Sequence, residues 1–209
     1  MGNVIKNFKS HWTIPYAYSK FRRLIFEFLN RTSPWLTKDA ISFLDEQLSL
    51  DFTGLEWGSG RSTLWFSKRV RFLHSIEHNM EWHSIVSRDL LNQNISNVSL
   101  QLVDHRKDSG ISYVNAFDLG EETLDFILVD GKLRDQCSVR ALGLLKPSGF
   151  LIIDNINRYI PNTSKAPDSL KSSTQCATSY WGEFYDITAN WDKIWTSDGI
   201  TDTAIYIKP

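Results

Sequence analysis

The chain has 209 residues, 42% of them hydrophobic and 22% charged, which suits one folded domain and excludes a mainly disordered or low-complexity protein. A formal net charge of −1, from 23 basic and 24 acidic side chains, provides no field for a polyanion, so nucleic acid is not an expected partner. Cys137 and Cys176 stand apart without a CxxC or Cys/His cluster, which excludes a disulfide framework and a structural zinc site and makes a reducing cytoplasm the expected location.

Apolar residues at helical spacing predict two helices, over 16–30 and 37–48, with Thr37 as a hydroxyl N-cap of the second. The apolar stretch 24–29 follows Lys20, Arg22 and Arg23 and contains Glu27, so it is too short and too charged to span a bilayer or to act as a secretory signal. From residue 52 onward, short apolar runs alternate with amphipathic segments, the pattern of a parallel sheet with crossover helices. Strands are expected near 52–57, 71–76, 98–103, 124–130 and 150–154. The Lys146-Pro147-Ser148-Gly149 stretch is expected to end a helix over 133–145 and lead into the fifth strand. A polar, loop-rich insertion follows near 156–180. Two last strands, at 193–196 and 203–208, flank the turn cluster Ser197-Asp198-Gly199 and should form an antiparallel pair at one sheet edge. The organisation expected is a helical extension over 1–50 and a doubly wound α/β domain over 51–209.

The segment Leu55-Glu56-Trp57-Gly58-Ser59-Gly60-Arg61-Ser62-Thr63 lies between the first strand and a helix. Glycines at 58 and 60 let backbone approach a ligand where a side chain would collide, and the helix start offers unpaired N–H donors. A dinucleotide fingerprint needs a small residue where Thr63 stands, and a P-loop needs a lysine that is absent. Glu56 beside this turn repels phosphate and attracts an ammonium or sulfonium group. Glu77 ends the next strand 17 residues after Gly60, about one crossover later, and should return beside the turn to accept hydrogen bonds from both ribose hydroxyls. The expected ligand is a cationic nucleoside. Trp57 and Ser59 inside the motif, Ser62 at the helix start, and His78 next to Glu77 join the candidate cofactor-binding residues. Asp104, at the end of the third strand, either contacts the adenine edge or is solvated.

These residues resemble the class I S-adenosylmethionine-dependent methyltransferases, with Glu56-x-Gly58-x-Gly60 as first motif and Glu77 as ribose-binding acid. The resemblance covers roughly 52–209 and is closest to a bacterial-type small-molecule subgroup, where a Pro-Trp-Leu helix such as Pro34-Trp35-Leu36 precedes the glycine motif. It implies a Rossmann-like sheet of seven strands, mostly parallel with an antiparallel C-terminal strand. It implies S-adenosyl-L-methionine as cofactor and methyl transfer to an oxygen, or second to a nitrogen, of a small-molecule acceptor. Asp130, in Val129-Asp130-Gly131, and the Asp154-Asn155 pair should meet at the carboxyl edge of the sheet, where three oxygen ligands suit Mg²⁺. Similar positions hold the metal in catechol-type O-methyltransferases, although Asp and Asn also cap helices and form turns. Asp130 and Lys132 are the candidate catalytic residues, the lysine as base and Arg134 as a second cation that holds an anionic substrate group instead.

The alternatives are a nicotinamide-dependent oxidoreductase, opposed by Glu56 and Thr63, and a non-catalytic module that binds partners through its aromatic N-terminal helices. Tyr18, Phe21, Phe26 and Phe28 are expected to dock on a core or a partner subunit, as in a homodimer through these helices, rather than on a membrane. The same helices, with Arg158 and Tyr159 of the insertion, are expected to cover the acceptor.

Overall fold

The computed structural model describes residues 14–30, 32–172 and 174–209. Seven strands form one sheet: β1 (Thr53–Trp57), β2 (Phe72–Glu77), β3 (Val98–Leu102), β4 (Leu124–Val129), β5 (Leu145–Asp154), β6 (Asp192–Ser197) and β7 (Asp202–Ile207). Their order is β3-β2-β1-β4-β5-β7-β6. The first five pair in parallel, while β7 runs antiparallel to both β5 and β6. The expected antiparallel pair is therefore present, with β6 at the sheet edge and β7 inserted beside β5.

The near-continuous apolar runs of β4 and β5 arise because both faces of the sheet are covered. Alternate residues serve opposite layers. Leu55, Trp57, Ile127, Val129, Leu151 and Ile153 point to one side, where α6 (Arg134–Leu144) and α7 (Ser179–Ile187) contribute Ala141, Leu144, Trp181 and Phe184. Leu73, Phe126, Leu128, Ile152 and Ile205 point to the other, against Ala40, Ile41 and Leu44 of α2 (Lys38–Gln47) and Trp65 and Phe66 of α3 (Arg61–Phe66). Thus α2 is part of the domain core. The preceding helix, α1 (Ile14–Leu29), reaches that layer through Phe26. Helices α4 (Met80–Asn92) and the short α5 (Ile111–Val114) complete the crossovers.

The sequence misplaces several local features. Residues 34–36 form bends ahead of α2 and not a helix. Thr37 is the N-cap residue of α2, but its hydroxyl meets Thr196 across the sheet edge at 2.5 Å and makes no cap bond. Lys146–Gly149 lies inside β5, which already starts at Leu145; its turn chemistry appears as a register shift against β4 and a positive φ of 63° at Ser148. The insertion is irregular as expected, with no strand or α-helix over 159–178 among the described residues, and regular structure resumes at α7. Thr178 accepts the Trp181 N–H and starts α7, which buries Trp181 and Phe184, one turn apart.

The sheet order reverses between β1 and β4, so their crossover helices leave on opposite faces and a crevice opens beyond their carboxyl ends. Residues 58–62 and 130–134 follow those two ends, and Glu77 ends the adjoining β2.

Candidate active site

The turn after β1 is built against the turn after β4. Gly58 has φ of +100°, and a Cβ there would stand 2.8 Å from the Gly131 nitrogen, so both conformation and space demand glycine. Its N–H donates to the Ile76 carbonyl at 2.8 Å, and the Asp130 N–H donates to the Trp57 carbonyl at 2.9 Å. Beneath the turn, Thr63 Oγ1 accepts the Gly60 N–H at 2.9 Å and donates to Glu56 Oε1, which also accepts Ser75 Oγ at 2.7 Å. Glu56 therefore fastens the turn from below. It is fully buried and does not line the cleft.

Burial pushes the Glu56 carboxyl up to about 7, against the hydrogen bonds from Ser75 and Thr63 that favour its charged form; Oε2 has no partner among the described residues. A carboxyl raised in the folded state stabilises most below its unfolded value, and that contribution is lost as pH rises toward the folded value. Glu56→Gln removes this titration. The wild type is expected to lose about 2 kcal/mol relative to the variant between pH 5 and pH 8, measured by urea unfolding at both pH values. Parallel profiles would refute the buried ionisation.

Glu77 is buried at the floor of a cleft of about 520 Å³, a size suited to a small ligand. Its Oε2 accepts the Ser59 N–H at 3.1 Å and the Ser59 hydroxyl at 3.0 Å, and Oε1 accepts the His78 and Asn79 N–H groups, both at 2.8 Å. Four donors fill the carboxylate's lone-pair sites. Only the Ser59 hydroxyl among these donors sits on a rotatable side chain, so it is the one that a ligand hydroxyl can displace. Gly58, Ser59, Gly60, Ser62, Glu77 and His78 all line the cleft, facing Asp130 and Lys132 on the other wall. Three candidates do not line it. Trp57 is fully buried, with its indole N–H on the Tyr113 carbonyl at 3.1 Å. Glu56 lies below the turn. Asp104 pairs with Arg106 at 3.0 Å, which holds its carboxyl down to about 2.

No spacing or charge pattern along the chain pointed to the aromatic wall. Trp82 donates its indole N–H to the Ser59 carbonyl at 2.6 Å and stacks on Trp35, with ring centroids 6.1 Å apart; Arg61 lies over Trp35 at 5.2 Å. Trp35 and Trp82 are 47 residues apart, and only the packing of the segment before α2 on α4 brings them together.

A second cavity of about 760 Å³ adjoins the first, and Trp35, Arg61 and Asp130 border both. Tyr16, Lys20 and Arg23 of α1 line one side, and Asp154, Asn155, Arg158 and Asp168 the other. Both the N-terminal helix and the insertion thus reach the same place. Arg158 pairs with Asp168 at 3.2 Å, and Tyr159 stacks on Trp181 with centroids 5.0 Å apart.

Asp130, Asp154 and Asn155 do converge, but around a cation that the chain supplies itself. Arg134 donates to Asp130 Oδ1 at 2.6 Å, to the Asp130 carbonyl at 2.7 Å, to the Asp154 carbonyl at 2.5 Å and to Asn155 Oδ1 at 3.3 Å. Its Nε also reaches the Gly131 carbonyl at 3.1 Å, and Nη1 lies 3.8 Å from Asp154 Oδ2. The guanidinium occupies the centre of the expected ligand set and satisfies its charge, so these residues do not fit Mg²⁺. Mg²⁺ therefore finds no support at this place, and no cluster of three His, Cys, Asp or Glu suited to a metal occurs among the described residues. Burial and the neighbouring Asp130 carboxylate push Asp154 up to about 7, and burial raises Asp130 as well, against the pull of Arg134. The two carboxyls titrate as a pair.

No family profile matches the chain, and no curated protein matches it in sequence. Solved structures do. A Staphylococcus aureus protein assigned as a caffeoyl-CoA O-methyltransferase aligns over 92% of this chain and 100% of its own, with TM-score 0.58 and 14% identity. An S-adenosylmethionine-dependent methyltransferase from Aquifex aeolicus aligns over 94% and 98%, with TM-score 0.54 and 14% identity. The precorrin 8W decarboxylase of Methanobacterium thermoautotrophicum aligns over 86% and 95%, with TM-score 0.53 and 18% identity. The chain has the class I methyltransferase fold, a Rossmann-like α/β sheet with an antiparallel seventh strand.

Proposed function

We propose that the protein is an S-adenosylmethionine-dependent methyltransferase acting on an oxygen, or second a nitrogen, of a small molecule. One observation carries this reading: the Gly58–Gly60 turn and the Glu77 carboxylate face one cleft, which meets a second cavity at Asp130, Trp35 and Arg61. The fold alone does not fix the reaction, since it also serves a protein described as a decarboxylase.

Glu77 and the backbone of residues 58–60 would hold the nucleoside, and Asp130 and Gly131 would border its reactive end. When bound, S-adenosylmethionine supplies an electrophilic methyl group. This chain supplies positioning: the Trp35–Trp82 stack closes one wall against water, and the second cavity orients an acceptor toward the shared border. Asp154, raised to about 7 by burial and the neighbouring Asp130 carboxylate, would take the proton that the acceptor loses. Lys132 stands at the cleft side of the same turn, and its side chain is exposed.

Titration calorimetry with S-adenosylmethionine, S-adenosylhomocysteine and NAD tests the reading. Both sulfur nucleosides are expected to bind and NAD is not, because Thr63 stands where a pyrophosphate-binding turn needs a small residue. Turnover is expected to survive EDTA, since Arg134 stands in the place of a metal. Binding of NAD alone, or of none of the three, would overturn the assignment.

A further inference from the structure

Helix α1 sits on the domain with its amphipathic character reversed. Tyr18, Phe21, Ile25 and Phe28 recur at i, i+3, i+7 and i+10, with Leu24 and Leu29 beside them, and these six side chains are between 43% and 72% exposed. The polar side faces inward. Arg23 reaches Asp198 at 3.3 Å, Ser19 packs against Gly199, and Tyr16 and Lys20 border the second cavity. Of the four aromatics expected to dock on a core or a partner subunit, Phe26 packs against the core of the described residues, while Tyr18, Phe21 and Phe28 are largely exposed. A contiguous apolar stripe of this size on a soluble surface marks a contact face.

Charge decides what kind of contact. Arg22 lies along one border of the stripe, over the Tyr18 ring at 5.7 Å, and Lys20 lies along the other. Residues 1–31 hold six basic side chains against the single acid Glu27, which leaves 17 basic and 23 acidic residues in the rest of the chain. The near-neutral total therefore hides a cationic N-terminal segment on an acidic body. A two-fold contact between copies through this stripe would place Lys20 and Arg22 of both along one seam, like charge on like. An apolar face bordered by cations matches a helix lying in the plane of an anionic lipid surface, its rings in the acyl boundary and its cations at the headgroups.

We propose that α1 docks the protein on anionic membranes through Tyr18, Phe21, Leu24, Ile25, Phe28 and Leu29. This docking is independent of the reaction catalysed. Because the opposite side of α1 borders the second cavity, docking brings that cavity within about one helix diameter, ~10 Å, of the headgroups. No helix among the described residues is long and apolar enough to cross a membrane, so the contact is interfacial.

The test is flotation of the full chain with vesicles of phosphatidylcholine alone, or with about one third phosphatidylglycerol. Binding to the anionic vesicles only, weakened by salt, is expected. The double variant Phe21→Glu, Ile25→Glu should weaken it on the order of a hundredfold, and Arg22→Glu roughly thirtyfold. All three positions are exposed, so thermal unfolding should match the wild type and separates lost docking from lost fold. Failure to float with anionic vesicles, undiminished binding by the double variant, or a wild-type dimer that the same double variant turns into monomer would each overturn the proposal.

Discussion

Replacing Arg134 with methionine is expected to destabilise the protein by about 3–5 kcal/mol at pH 8, the cost of leaving buried carboxylates without their cation. Arg134 ties the end of β4 to the end of β5: it donates to three backbone carbonyls, of Asp130, Gly131 and Asp154, and to the side chains of Asp130 and Asn155. Asp154 is buried and already raised to about 7 with the guanidinium present. Its unfolded value is about 3.9, so it stabilises most below that value, and this contribution is lost as pH rises toward 7. Without Arg134 both carboxyls rise further and the loss extends to higher pH. The deficit of the variant should thus be larger at pH 8 than at pH 5, where protonation removes the uncompensated charge. Urea unfolding at the two pH values measures it. Equal stability of variant and wild type at pH 8, or a deficit that does not change with pH, would contradict the assignment of Arg134 as the internal cation of this cluster.

Glu77→Ala is expected to weaken S-adenosylhomocysteine binding at least tenfold, since one ribose hydrogen bond to a charged acceptor contributes about 1.5–3 kcal/mol. The same substitution strips acceptors from the Ser59, His78 and Asn79 N–H groups, so some loss of stability will accompany it. Glu77→Gln separates the two effects: it keeps one acceptor oxygen for the backbone but carries no charge. Ser59→Ala provides the opposite control, because it vacates the site on Glu77 that ribose must enter, and it is expected to strengthen binding. Calorimetry on the three variants reads the series. Nucleoside affinity that is indifferent to residue 77 would remove the ribose role, and with it the main support for the methyltransferase reading.

The class of fold was legible in the chain because a parallel sheet covered on both sides leaves a strong mark: short, mostly apolar strands at 53–57, 124–129 and 150–154, each ending in or followed by glycine or acid. The same mark located the crevice, since Gly58, Glu77 and Asp130 lie at strand ends and strand ends converge at the switch point. Glu56 had the right chemistry and the wrong address. Charge and spacing placed it at the ligand, whereas the pleat turns it beneath the turn toward Ser75 and Thr63, and periodicity alone does not say which side of a β-turn a terminal residue will face.

The order of elements, the glycine turn and the acid that ends β2 were readable along the chain, because each depends on residues close together in it. Packing alone brings Arg134 between Asp130, Asp154 and Asn155, sets Trp35 against Trp82, and turns the apolar stripe of α1 away from the domain. These outcomes depend on which distant groups compete for the same space. A cation placed one helical turn from Asp130 takes up its oxygens, and a polar helix face with partners at Asp198 and Gly199 leaves the apolar face to whatever lies outside.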